Sequence, residues 1–317
     1  MRETVFLKQN AEKWKTFESF VIGKEKTNPD ALADFFVQLT DDLSYARTFY
    51  PKSTTTQYLN ALTAKVHQAI YRNKKESTNR FFNYWRVELP LVIKSAHKEL
   101  LYSLTVFVLA VLIGVVSSVN DHRFVRLILG DSYVNMTLEN IKNNDPLAVY
   151  KKMNAIDMFL GITVNNIQVA FFAFVMGALL SFGSVWILFR NGVMLGVFHH
   201  FFYQHGLLES VLSTVWIHGT LEIAAIIIAG GAGLVIGNSI LFPGAYSRKH
   251  SFMLGARKGL RIVIGLIPVF ILAGFLEGFV TRYTNMPAWL SSTIILSSGL
   301  FVFYYFVIYP YGNLRKN

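Results

Sequence analysis

The chain has 317 residues, of which 53% are hydrophobic and only 15% charged, and its mean hydropathy is +0.39. That balance excludes an ordinary pair of soluble domains and points to a membrane protein, while the absence of cysteine excludes disulfides and thiolate metal sites. The net charge of +11 suggests nucleic acid at first, but the cations cluster in loops and at the ends of apolar runs, which is the pattern of membrane topology and not of a nucleic-acid surface.

Residues 1–20 carry scattered charges and no apolar core of a signal peptide, so the N-terminus is expected to stay in the cytoplasm. Residues 1–78 read as a cytoplasmic bundle of three helices. The first buries Val5, Phe6, Trp14, Phe17, Phe20 and Val21 and stops near Gly23. The second starts at Thr27 to Asp30 with Pro29 in its first turn, buries Leu32, Phe35, Phe36, Leu39, Leu43 and Ala46, and closes at Pro51. Ser53 or Thr54 caps the third, which runs through Tyr58, Leu59, Leu62, Val66, Ile70 and Tyr71.

Residues 79–99 mix Arg80, Arg86, Lys94 and Lys98 with Trp85 and neighbouring aromatics. They are expected to form an amphipathic helix lying on lipid headgroups, kinked at Pro90. A fourth bundle helix is the alternative.

Residues 100–312 form the transmembrane domain, with spans expected at Leu100–Val119, Val164–Phe189, Leu207–Leu241, Ile262–Thr281 and Ala288–Tyr309. The balanced charges of residues 120–163 make an extracytoplasmic loop, whose Phe124–Leu129 dips into the outer interface. Arg190 closes the second span on the cytoplasmic side. The loop Ser247–Arg261, basic and without an acid, is expected to be cytoplasmic. The count then requires Asn191–His205 to cross as a short sixth helix, or to be re-entrant, and it returns Arg315 and Lys316 to the cytoplasm. The fold class is thus all-α: a polytopic membrane protein of about six spans behind a helical cytoplasmic domain.

After residue 163 the acids are Glu209, Glu222 and Glu277, all within apolar segments. Glu209 is expected to snorkel at the outer interface. Glu222 and Glu277 lie deeper and need a partner or a proton. His218 stands four residues before Glu222, on the same helix face. His218, Glu222 and Glu277, with Asn165 as a further polar partner, therefore compose a candidate site. It is read as a hydrogen-bonded packing pair, a site for a divalent metal ion, or a proton relay. The second histidine of a zinc-protease helix is missing. His199, His200 and His205 read as interfacial or loop residues, and Gly230, Gly231, Gly233 and Gly237 as a stripe for close helix contact.

The chain resembles the stage II sporulation protein M family. The resemblance rests on LTDDLSYAR at Leu39–Arg47, LNALTAKVHQAIY at Leu59–Tyr71, NNIQVAFFAFVMG, RNGVMLG, HGTLEI and EGFVT. The most specific elements fall on His218, Gly219 and Glu222, and on Glu277, Gly278, Phe279 and Thr281. The resemblance implies a six-span protein of the bacterial inner membrane, and the charge pattern already puts both termini on the cytoplasmic side. In spore formers the family is linked to a complex that remodels septal peptidoglycan and whose hydrolases are other proteins. The expected function is a non-enzymatic, homodimeric membrane anchor or regulator of envelope processes, in contact with lipids and with a cytoplasmic or envelope partner. A channel or transporter lined by the His/Glu residues, and an intramembrane metal-dependent hydrolase, are the alternatives.

Overall fold

Turn chemistry and apolar spacing divide the first part of the chain into three helices. The computed structural model, which describes residues 2–22, 29–72, 80–151, 154–283 and 286–312, has them as α1 (Glu3–Ile22), α2 (Pro29–Phe49) and α3 (Thr54–Arg72). Pro29 opens α2, where its missing N–H would have had no intrahelical partner. Ser53 Oγ accepts the Thr55 N–H at 3.0 Å and caps α3. Phe6, Trp14, Phe17, Leu39, Leu43, Ala46, Leu59, Leu62 and Val66 bury into one core. Trp14 Nε1 donates to Asp42 at 2.8 Å, which lets the indole enter that core with its polar edge satisfied. Val5 is exposed, because the face set by Phe6, Trp14 and Phe17 turns its neighbour outward; Tyr58 is exposed too, its hydroxyl donating to Glu18 at 3.2 Å. Phe20, Val21, Leu32, Ile70, Tyr71 and Arg80 lie outside the described side chains, and Gly23, Thr27, Arg315 and Lys316 outside the described residues.

Backbone packing separates the chain into two units, dividing between Arg80 and Phe81. The second contains α4 (Arg80–Asn83), α5 (Leu89–Ser95), α6 (His97–Asn120), α7 (His122–Leu129), α8 (Asp131–Lys142), α9 (Ala155–Val175), α10 (Phe182–Gln204), α11 (Leu208–Leu241), α12 (Arg248–Phe275) and α13 (Ala288–Phe303). Among the described residues there is no strand. Among the described residues six helices, some extended by a terminal turn of tighter or wider pitch, are long and apolar enough to cross a bilayer: His97–Asn120, Ala155–Ala178, Phe182–Gln204, Leu208–Leu241, Arg248–Val280 and Ala288–Tyr311.

Three span boundaries differ from expectation. The second crossing starts at Ala155, where Asn154 Oδ1 accepts the Ile156 N–H at 3.2 Å, and ends at Ala178. The break after it falls at Leu179–Ser181 and not at Arg190, with Leu180 and Ser181 at φ 52° and 71°. Neither residue is one that advertises a left-handed turn, so the sequence conceals it. The supposed short crossing at Asn191–His205 is consequently the second half of a full helix, α10, and Arg190 sits exposed within it. Finally, Ser247–Arg261 is no loop: from Arg248 onward it is the first half of α12, with Phe252, Met253 and Leu254 exposed among its cations.

The segment before α6 follows from one proline. Pro90 has no N–H for the carbonyls behind it, and Tyr84–Glu88 widens into a π-turn. The carbonyls of Trp85 and Arg86 instead accept Tyr305 Oη at 2.6 Å and Tyr309 Oη at 3.0 Å. Tyr84 Oη donates to the Arg261 carbonyl, and burial pushes this phenol up to about 12. The segment is thereby fastened to α12 and to the C-terminal turns, with Leu89 and Ile93 inward and Phe81, Phe82, Arg86, Lys94 and Lys98 exposed.

At the centre lies α11, whose 34 residues span about 51 Å, longer than a bilayer core of about 30 Å. Its glycines admit neighbours at backbone distance. Gly233 abuts Gly177, Gly237 abuts Ser181, Gly230 receives the side chain of Leu188 and Gly231 that of Leu100. A Gly177→Leu substitution would drive a side chain into the Gly233 backbone. It should lower stability by about 1–3 kcal/mol or more, whereas Gly161→Leu, which meets open space, should change it by less than about 0.5 kcal/mol; thermal unfolding in detergent compares the two. In the first unit, Glu3 accepts from Ser53 Oγ and from Thr55 Oγ1 (the latter at 2.7 Å), bonds that hold its carboxyl below the ordinary 4.5. A depressed carboxylate contributes stability above 4.5 that is lost as pH falls through its folded value. The deficit of Glu3→Gln relative to wild type, read from amide exchange at Leu59–Val66, should therefore be present at neutral pH and vanish in acid.

A candidate intramembrane polar site

Three membrane helices each contribute polar side chains to one place in the bundle. His218 and Glu222 come from one face of α11, as their spacing requires. Glu277 lies in the π-turn Leu276–Val280 that ends α12, and Thr281 follows it. That wider turn, closed by the Thr281 N–H on the Leu276 carbonyl at 2.8 Å, swings Glu277 and Thr281 together toward α11. Gly274 and Gly278 let α12 sit tightly on α9, the first against Thr163 and the second against Ala155 and Phe159.

His218, Glu222 and Glu277 each offer a ligand atom within 4.8 Å of the others. His218 Nδ1 is 3.0 Å from Thr281 Oγ1, and Nε2 is 3.7 Å from Glu277 Oε2. The imidazole is 5% exposed and the Glu277 side chain 13%. Thr281 Oγ1 donates its single proton to the Leu276 carbonyl at 3.1 Å, so toward His218 it accepts. Nδ1 is thus the nitrogen turned to Thr281, where a proton on it would complete the bond, and Nε2 is the nitrogen turned to the carboxylate.

Of the sequence-predicted residues, the structure brings His218, Glu222 and Glu277 together and leaves Asn165 out. Asn165 is exposed on the outer side of α9, donating to Asn166 Oδ1 at 3.3 Å. The residue beside Glu222 is Asn166, which is buried. Its neighbour was indistinguishable by type, but Asn166 shares a helical face with Thr163, Ala170, Ala173 and Gly177, the small residues of that helix, and this phase was the available signal. Thr281 is fully buried and belongs to the site by its bond to His218.

Other expected positions lie elsewhere. Glu209 is exposed in the first turn of α11 and lines a groove of about 740 Å³ together with Tyr203, Trp216 and Ser292. His199 accepts from Trp216 Nε1 at 2.9 Å and bonds the Leu195 carbonyl through Nδ1 at 2.8 Å; His205 Nδ1 bonds the Phe201 carbonyl at 2.7 Å. His200 is buried on another face, so the three histidines do not converge. As the asparagine assignment implies, Asn166→Leu should destabilise the protein by about 1–3 kcal/mol by leaving Glu222 short of a buried donor, while Asn165→Leu should stay within about 0.5 kcal/mol; melting curves of the two variants provide the check.

The site falls within the stretch that comparison with known families identifies. The model for stage II sporulation protein M matches residues 103–282, which contain every residue from Thr163 to Thr281. A second model, for a domain of unknown function, matches residues 4–72. An uncharacterized protein of Methanocaldococcus jannaschii is 25% identical over 200 residues, covering 61% of this chain and 87% of that protein. No solved structure matches. With more than half of its length matched, including both halves of the His/Glu cluster, the chain belongs to the stage II sporulation protein M family.

Proposed function

We propose that the protein is an anchor and organiser of envelope processes in the inner (cytoplasmic) membrane, with the N-terminal helices as the partner-binding module and both termini cytoplasmic. The observation that carries this reading is the separately packed unit ending at Arg80, which has its own aromatic core yet leaves Val37 and Phe49 exposed on α2. Exposed apolar side chains on a small polar bundle are what a protein partner covers. The orientation is supported by cations at one end of the membrane unit, Arg86, Lys94, Lys98, Arg248, Lys249, Arg257 and Arg261, against mixed charges in the connection between the first two crossings. The His/Glu cluster is shut in by α9, α11 and α12, in keeping with a membrane unit that holds its shape while the module engages a partner.

The channel reading rests on the same two carboxylates and is separated by flux. Full-length protein in proteoliposomes should pass monovalent ions, divalent ions and small solutes no faster than empty vesicles. A photo-crosslinking residue placed at Val37 in cells should give a discrete protein adduct that Phe49→Asp abolishes. Flux above background that Glu222→Gln or Glu277→Gln removes, with no adduct from α2, would move the protein to the transport class.

A further inference from the structure

We propose that His218, Glu222 and Glu277 bind one divalent transition-metal ion, with Thr281 as the positioning residue that makes Nε2 the ligand nitrogen. The inference is independent of the anchor reading, since an organiser and a channel could each hold such an ion.

Four observations converge on it. The three donors come from two different helices and lie within 4.8 Å of one another, with His218 buried and the two carboxylates partly exposed. The gap between His218 Nε2 and Glu277 Oε2 is 3.7 Å, wider than a good hydrogen bond. An ion about 2.0–2.2 Å from nitrogen and oxygen donors fits such a gap with little movement. Two carboxylates so close inside a bundle repel each other when ionised, and a dication between them cancels both charges while the neutral imidazole adds none.

The ring is already oriented as in a metal ligand. Thr281 Oγ1 gives its proton to the Leu276 carbonyl and accepts from Nδ1, so the ring presents Nε2 to the carboxylate. Metal-bound histidines are characteristically held this way, through the nitrogen that does not coordinate. The last observation comes from a third helix. Asn166 is only 5% exposed and stands beside Glu222 as a side-chain donor, though not in close hydrogen-bond geometry. A buried amide donor beside a carboxylate is what a metal-bound Glu222 would use to satisfy its outer oxygen.

One imidazole with two carboxylates is a mixed nitrogen and oxygen set, suited to Zn²⁺, Mn²⁺ or Fe²⁺, and three protein ligands leave a position open for a further donor. Full-length protein in detergent, stripped with chelator, should take up one equivalent of Zn²⁺ or Mn²⁺ on dialysis, and the ion should raise its melting temperature. Glu222→Gln and Glu277→Gln should abolish both effects, and Glu209→Gln neither. Thr281→Val should keep the stoichiometry and weaken binding by about 10–100-fold. If a glutamine variant fails to fold, Co²⁺ in wild type and in Thr281→Val serves instead, its visible absorption altering between the two only if His218 is a ligand. Uptake by wild type no greater than by the Glu222→Gln/Glu277→Gln double variant, uptake unaffected by either substitution, or a Co²⁺ spectrum unchanged by Thr281→Val would overturn the proposal and leave the carboxylates to a shared proton.

Discussion

Apolar side chains gain nothing by leaving lipid for protein, so membrane helices hold together where backbones come near enough for dispersion and interhelical hydrogen bonds; in this chain that approach is concentrated on α11. Gly230, Gly231, Gly233 and Gly237 remove the side chains that would keep neighbours away, and Leu100, Gly177, Ser181, Ser184 and Leu188 occupy the room. Polar bonds then lock the contacts. Ser103 Oγ reaches the Ile227 carbonyl at 2.5 Å, Asn238 Nδ2 the Glu99 carboxylate at 3.2 Å, and Ser184 Oγ the Ala173 carbonyl at 2.5 Å. Bonds of this kind select one register of the helices.

The polar site inherits its geometry from that packing. α11 supplies the His/Glu face, α12 arrives at the right height because Gly274 and Gly278 let it lean on α9, and the π-turn rotates Glu277 and Thr281 inward. A bulge of this kind is a local deviation from the helical ladder that the surrounding packing has to hold in place. This packing holds the two carboxylates and the imidazole within reach of one another.

A similar logic runs through the segment before α6. Pro90 removes a donor, and Tyr305 and Tyr309 from the C-terminal turns supply their hydroxyls to the carbonyls of Trp85 and Arg86. The aromatic and basic residues of this stretch give the sequence the look of a membrane-surface helix. Its attachment to the far end of the chain was not legible, because the proline and the two tyrosines are more than 200 residues apart and no local pattern joins them.

Composition, apolar run length and the i, i+4 spacing of His218 and Glu222 were enough by themselves to establish an all-α membrane chain, and the confinement of the later acids to apolar segments singled out Glu277 as well. These are properties of single segments, set by hydrophobic length and helical periodicity. The tertiary structure alone decided where α9 ends and α10 begins, since the left-handed turn at Leu180 and Ser181 is stabilised by its fit against α11 and not by residues that favour it. It also decided for Asn166 over Asn165, for Thr281 as the partner of His218, and for the distances among the trio. Those outcomes depend on how far each helix is rotated and slid against its neighbours, which the close contacts at glycine determine and no one-dimensional pattern encodes.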